Sequence, residues 1–285
     1  MSFLDHIHAC NRKDLSLFKP LMINEQRVGW VRSTFEPELA RFPQVVRLDH
    51  NAVSLSPALS SPDLRSAAIA EVFATLASEG RCPQPRGELY ACKTSWSAPE
   101  LFRIDRAQVS YLGIRAYGVH MNGWVQTADG PALWIGRRAL DKKVAPGKLD
   151  NMVAGGQPAG LSLVENLAKE AAEEADVPAA LVAQARAVGA VTYCMEGSGG
   201  LKPDTMFCYD LELPADFTPR NTDGEMVGFE LWPVRKALEV IAAGDDFKFN
   251  VNLVIVDFAL RHGILTPDDE PHYEALLTGL RQPLP

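Results

Sequence analysis

The sequence is poor in cysteine and has none in a metal-binding or redox spacing. Cys10, Cys82, Cys92, Cys194 and Cys208 are odd in number and no two form a CxxC pair. That argues against a disulfide framework or a zinc site and suits reduced thiols. A long apolar run is also missing. The most apolar segment, Val251 to Leu260, is too short to span a bilayer and contains Asp257. The opening MSFLDHIHACNRKD carries charges where a secretion signal needs an apolar stretch. The expectation is a cytoplasmic protein without a membrane partner. Basic clusters are lacking too. Lys and Arg number 28 against 36 Asp and Glu, a net charge of −8, which argues against a nucleic-acid surface. An acidic chain still accepts polyphosphates where a divalent cation supplies local positive charge. No internal repeat or low-complexity tract is present.

What is present suffices for a sizeable core: 285 residues fit one large domain or two smaller ones. A helix is expected from Pro62 to Glu79, capped by Ser61 and ended by Gly80, with Leu64, Ala68, Val72 and Leu76 as its apolar stripe beside Ile69 and Phe73. The Pro/Gly-rich RCPQPRGE follows as a loop or boundary. Residues 1–108 thus read as a small α+β N-terminal domain in which no catalytic constellation is evident, and residues 109–285 as a second domain. In the latter, Arg115 to Thr127 and Ala132 to Arg137 read as strands around an Asp129-Gly130 turn. Ala187 to Met195 and Thr205 to Leu213 are further strands, separated by the loop EGSGGLKPD, and Val227 to Leu231 is a short one. Helices over Val234 to Ala243 and Phe249 to His262 close the chain. Strands interleaved with helices imply an α/β class, a mixed sheet covered on both faces.

The segment GGQPAGLSLVENLAKEAAEEADV, residues 155–177, carries the chemistry. Ser162 and Glu165 form a capping box, so a helix starts just after the glycines and ends at Asp176-Pro178. Its apolar stripe is Leu163, Val164, Leu167, Ala168, Ala171 and Ala175. Glu170, Glu173 and Glu174, at i, i+3 and i+4, project from one face. They are either that helix's solvated side or a cation site. Phase favours the second, because Glu174 falls between Leu163 and Leu167 on the helical wheel with Glu170 next to it. A carboxylate there needs compensation, and acidic residues in a last turn oppose the helix dipole. Hard oxygen ligands suit Mg²⁺ or Mn²⁺, which bridge carboxylates to substrate phosphates.

This stretch resembles the Nudix box of the Nudix hydrolase superfamily, GX5EX7REUXEEXGU, with U a bulky aliphatic residue. Gly155 takes the glycine position, Lys169 the arginine, Glu170, Glu173 and Glu174 the three glutamates, and Val177 the last aliphatic. Leu161 stands at the first glutamate, Ala171 is smaller than usual, and Asp176 replaces a glycine. The flanks, LDNMVAGGQPAG and KEAAEEA, are similar to a subgroup with an extra N-terminal domain, found in fungi fused to thiamin pyrophosphokinase, in which the first glutamate is normally missing. The resemblance spans about residues 1–265 and implies a Nudix α/β/α sandwich preceded by the small α+β domain.

It further implies a metal-dependent diphosphatase acting on a small-molecule diphosphate, with thiamin diphosphate or its oxo and oxy analogues as substrates. Glu170, Glu173 and Glu174 would be catalytic metal ligands, with the Gly155 carbonyl as a further one. Lys169 would pair with neighbouring carboxylates. Glu225, in the turn NTDGEMVGF, is a candidate general base or extra ligand, or else a plain surface glutamate. Arg137, Arg138 and Lys148 are candidate phosphate contacts, or exposed strand-end charges. The loop from Glu196 to Asp204 is a candidate wall for the leaving group. His120, Cys194 and Cys208 read as packed core, and the GSGG tract is a poor phosphate loop because no helix follows it. Trp124, Trp134 and Trp232 could stack on a leaving group, though burial is the simpler reading. Two other readings stay open: an ADP-ribose or other nucleoside-diphosphate pyrophosphatase, and a Nudix-fold sensor that binds without hydrolysis. The N-terminal domain would either cover the pocket or support a homodimer.

Overall fold

The computed structural model describes residues 1–285. The chain opens with α1 (Phe3–Cys10), β1 (Phe18–Ile23), β2 (Gln26–Arg32), α2 (Glu36–Leu39), β3 (Val46–Leu48), β4 (Val53–Leu55), α3 (Pro62–Ser78), β5 (Leu89–Cys92) and β6 (Phe102–Asp105). It continues with β7 (Ala116–Thr127), β8 (Gly130–Arg138), β9 (Leu149–Asn151), β10 (Val153–Gly156), α4 (Leu163–Ala175) and α5 (Ala179–Val182). It closes with β11 (Arg186–Gly197), β12 (Gly200–Glu212), β13 (Met226–Pro233), α6 (Val234–Ala243), α7 (Val251–Arg261) and α8 (Tyr273–Gly279). No helix is long and apolar enough to cross a membrane.

A seven-stranded mixed sheet organises the second half, in the order β11-β12-β7-β8-β13, with β10 on β7 and β9 on β8. β12 runs parallel to β7 along one edge, and β10 runs antiparallel along the other. Because side chains alternate across a strand, Val119, Met121 and Val125 of β7 join Tyr209 and Leu211 beneath α4 and α5. Met206 and Cys208 face the opposite layer of α1, α6, α7 and α8. The result is the expected α/β/α sandwich. Before it, β2-β1-β4-β3 forms a four-stranded sheet and β5-β6 a hairpin, both packed with α3 around Phe73 and Phe102.

The packing revises several details. Leu64 is exposed, and Arg65 lies buried along α3 instead. Its guanidinium donates to the carbonyls of Leu101 and Leu59 at 2.8 and 2.9 Å, which satisfies the head while the stem packs. α1 does not pack with the rest of residues 1–108. Ile7 and Cys10 enter the core of the C-terminal helices, and the His6 imidazole contacts the Ile241 carbonyl at 2.8 Å. The stretch from Glu196 to Asp204 is no loop. β11 and β12 run through it to a tight turn, where Gly200 adopts φ +140° and a Cβ would lie 2.2 Å from the Ser110 carbonyl oxygen. Glu196 accepts from Arg32 of β2 and so ties this turn to the N-terminal half, while the Asp204 carboxylate accepts from the Tyr193 hydroxyl within the hairpin.

Candidate active site

α4 is built by strong local signals. The Ser162 hydroxyl accepts from Glu165 N at 3.2 Å and Glu165 accepts from Ser162 N at 2.8 Å, a complete capping box. Asp176 ends the helix in the left-handed region, φ 52° and ψ 38°. The buried face is Asn166, Leu167, Ala171, Glu174 and Ala175, and Val164 points to solvent. The expected stripe was therefore placed too far towards Val164. The true face is rotated to include Glu174, which is 2 % exposed.

Glu174 accepts one hydrogen bond from Ala154 N at 2.8 Å, and no Lys, Arg or His lies within ion-pair distance. Burial pushes its carboxyl well above the ordinary range, and the nearby charges of Asp150 and Glu170 push the same way. Glu170 is also raised, first by burial, despite Lys169 at 3.1 Å. Glu173 is half-exposed and held by Lys169 at 2.8 Å, so Lys169 takes the pairing role expected of it. Glycine at 155 has a steric reason: a Cβ there would sit 2.3 Å from the Glu170 Cδ, so only glycine lets this carboxylate lie against the strand.

No three carboxylate, imidazole or thiol groups gather tightly enough to enclose an ion. Glu170 and Glu174 nonetheless fit a divalent cation. Both are carboxylates whose burial raises their pKa, Glu174 has no cationic partner, and Gly155 and Gly156 bring the β10 backbone close to them. Beneath them Asp150 is fully buried. Burial drives it upward, but Lys248 at 3.3 Å and Arg138 at 2.6 Å outweigh that and hold its pKa below the usual value.

The other residues singled out in the sequence sit as follows. Arg138 is buried and donates to Asp150 and to the carbonyls of Val144 and Ala145, which makes it a counter-ion to Asp150. Lys148 is drawn to Asp245 at 3.2 Å in the α6–α7 connection. Arg137 is exposed and donates to the Gly147 carbonyl at 3.1 Å. By strand alternation it shares the face of Leu133 and Ile135, on the α6–α7 side rather than the α4 side. The three cations are therefore not gathered at the glutamates. Glu225 is ion-paired to Lys142. Its loop docks on the end of α4, where the Thr222 hydroxyl donates to the Glu173 carbonyl at 2.6 Å and Arg220 pairs with Asp176. His120 is buried against Asn151 at 2.9 Å and pushed down to about 4 by burial, a neutral core imidazole. Cys194 and Cys208 are buried thiols pushed up to about 12 by the same cause.

Residues 1–108 contribute more than the sequence suggested. The β5–β6 hairpin lies against the strand that carries Gly155: Ala159 N donates to the Leu89 carbonyl at 2.7 Å, and a Cβ on Gly156 would lie 1.5 Å from the Tyr90 hydroxyl. Arg106 pairs with Glu88 at 2.6 Å on the same hairpin. Trp96 packs edge-on against Tyr117 and Phe207, with centroids at 5.2 and 5.1 Å. Trp124 and Trp232 instead pack into the α7 and α6 layer beside Phe258 and Phe247. A usable signal was the setting of Trp96: KTSWSAPE surrounds a large aromatic with polar and turn residues, without the periodicity of a buried stripe.

Residues 2–116 match a family described as a domain of unknown function (DUF4743). The chain is 42% identical over 283 residues to Nudix hydrolase 20, chloroplastic, of Arabidopsis thaliana, which covers 95% of this chain and 76% of that protein. It is 41% identical over 283 residues to Nudix hydrolase 24, chloroplastic, of the same plant, covering 98% and 77%. Among solved structures, DR0079 from Deinococcus radiodurans aligns at 23% identity and a TM-score of 0.45, over 60% of this chain and 96% of that one. With its glutamate helix on a glycine strand and identity of this extent to two named members, the chain belongs to the Nudix hydrolase family.

Proposed function

We propose that the chain is a divalent-cation-dependent diphosphatase that converts an organic diphosphate and water to the monophosphate and inorganic phosphate. The observation that carries this reading is Glu174, a buried carboxylate of α4 without a cationic partner, beside Glu170, which lies against the β10 strand at a position that only glycine permits. Glu170, Glu174 and a released Glu173 would hold Mg²⁺ or Mn²⁺, with the Gly155 carbonyl as a further ligand. Such an ion, when bound, neutralises the diphosphate and makes hydroxide available near neutrality. Glu225 would accept the proton of the attacking water after exchanging Lys142 for it, its loop being fixed on the end of α4. Asp150 is held ionised by Arg138 and Lys248 and is taken up by those two cations, so it would not itself hold the ion.

For the substrate, the sequence resemblance supports thiamin diphosphate or its oxo and oxy analogues. The same reading treats residues 1–108 as an accessory unit of the subgroup found fused to thiamin pyrophosphokinase, and 109–285 as the hydrolase, with α1 docked onto the latter. A screen of thiamin-type diphosphates, ADP-ribose and nucleoside diphosphates, with Mg²⁺ and with EDTA, tests it. Metal-dependent release of a thiamin-type monophosphate is the expected result. Preference for ADP-ribose replaces the substrate class, and binding without any turnover replaces the enzyme with a sensor.

A further inference from the structure

A diphosphate brings several negative charges to a site built of carboxylates, and bound cations offset only part of the repulsion. Several basic side chains around the glutamates are already engaged: Lys169 by Glu170 and Glu173, Lys142 by Glu225, and Arg138 and Lys248 by Asp150. Arg106 is placed differently. It stands at the end of the β5–β6 hairpin, its side chain 37 % exposed, and it donates from Nη1 alone, to the Glu88 carboxylate at 2.6 Å. Its Nε and Nη2 make no hydrogen bond within the protein.

The position is fixed from several sides. Arg106 N donates to the Glu88 carbonyl at 2.9 Å, which sets the two side chains opposite each other across the hairpin. The buried Asp105 carboxylate accepts from the backbone N–H groups of Arg86, Gly87 and Ala107 at 2.9, 2.8 and 2.9 Å, so the chain on both sides of the pair is tied down. The Ala159–Leu89 bond fastens the hairpin to the segment before α4, and the Tyr90 hydroxyl rests on Gly156. Gly156 follows Gly155, against which Glu170 lies, so Tyr90 and the Glu170 carboxylate flank consecutive residues of β10. The electrostatics agree with this placement. Burial alone would lower the Arg106 pKa, but Glu88, by charge and hydrogen bond, and the charges of Tyr90 and Glu225 outweigh it and raise it. The Glu170 carboxyl, raised first by burial, also feels Glu88. The Arg106–Glu88 pair thus stands within electrostatic reach of Glu170 on α4 and of Glu225 on its loop.

We propose that Arg106 is a phosphate-binding residue of the active site, supplied by the N-terminal unit, and that its Nε and Nη2 donors receive a phosphate of the diphosphate held at Glu170 and Glu174. The inference rests on the diphosphatase reading for its ligand and adds the residue that grips it. A guanidinium presents a planar fork that matches two phosphate oxygens, and it is more weakly hydrated than an ammonium. Glu88 holds that fork through Nη1 and leaves the other two donors to the ligand. The N-terminal unit is then part of the phosphate site and not only a cover over it.

Isothermal titration of the whole chain with methylenediphosphonate in Mg²⁺ tests this, because the methylene bridge resists hydrolysis and binding is read without turnover. Arg106→Met should weaken binding by about tenfold or more, the scale of losing a charge-assisted pair. Arg106→Lys should recover part of the loss, since it keeps the charge and lacks the fork. Glu88→Gln separates a phosphate role from a structural one. Glutamine keeps the acceptor for Nη1 and removes a negative charge, so binding should tighten by about threefold; a hairpin that merely needs its ion pair would lose binding instead. Arg103→Met, on the same hairpin but paired with Glu100 at 2.6 Å and joined through its backbone to Ser66 of α3, should bind as wild type does. Binding indifferent to Arg106→Met, or weakened by Glu88→Gln, overturns the inference, as does failure of wild type to bind the probe. Metal-dependent turnover by wild type would in that case leave the diphosphatase standing. Probe binding that depends on Arg106, without turnover of any diphosphate, would do the reverse.

Discussion

Glu174→Gln should stabilise the metal-free protein while disabling it. The wild-type carboxylate is 2 % exposed, accepts one hydrogen bond, and feels the charges of Asp150 and Glu170. Glutamine keeps the volume and the acceptor for Ala154 N, so neither cavity nor lost hydrogen bond offsets the removal of a buried charge. The gain is on the order of 1–3 kcal/mol. A chain of 285 residues unfolds with about 0.6 kcal/mol per degree, so Tm should rise by about 2–5 °C. The effect must depend on pH. The folded pKa of Glu174 is raised, so between the unfolded and folded values the native state binds the extra proton and stability falls as pH rises. Below the ordinary carboxylate range both variants carry a neutral group, and their melting points should converge. Above the raised value they should differ in full, and Mg²⁺ should then stabilise wild type more than the variant. Circular-dichroism melts in EDTA from pH 4 to pH 8.5 measure this. A variant that melts at or below wild type at high pH, or a difference independent of pH, would refute the reasoning.

Further consequences follow from neighbouring residues. Gly155→Ala places a Cβ 2.3 Å from the Glu170 Cδ; it should displace that carboxylate and weaken Mn²⁺ binding at least tenfold by titration, with Tm little changed because a side chain yields more easily than backbone. Arg138→Met leaves fully buried Asp150 with Lys248 as its remaining cation; it should cost about 3 kcal/mol of stability, seen as a lower denaturation midpoint, whereas an unchanged midpoint with a raised KM would restore the phosphate-binding role. Gly200→Ala sets a Cβ 2.2 Å from the Ser110 carbonyl oxygen at φ +140°; it should destabilise by about 2 kcal/mol or more in urea melts, and a neutral result would mean the β11–β12 turn is not clamped as described.

What could be read from the sequence divides by the range of the forces involved. α4 was legible to within a residue because a capping box and a left-handed cap are written locally in Ser162, Glu165 and Asp176. The burial of Glu174 was legible from helical phase alone. Leu64 and Val164 were misplaced because a stripe of mixed Leu, Val and Ala defines its centre poorly, and contacts with distant strands decide which edge is covered. β9 and β10 were not foreseen as strands, and in β10 this is because Gly155 and Gly156 carry no strand propensity. They are strand residues because Glu170 and Tyr90 must approach the backbone there. Arg138 and Lys148 suggested phosphate contacts from charge and position, but their partners Asp150 and Asp245 are joined to them only by the fold. Tyr90 and Trp96 escaped for the same reason, lying more than sixty residues before the glutamates of α4.

The central claim, that Glu170, Glu173 and Glu174 hold a divalent cation for diphosphate hydrolysis, is tested most directly by release of thiamin monophosphate from thiamin diphosphate and of AMP from ADP-ribose, with and without Mg²⁺. The account predicts release that requires Mg²⁺ and falls at least 100-fold in Glu174→Gln, on the scale of losing a key electrostatic contributor to catalysis. Release that survives EDTA or is unaffected by the substitution would contradict it.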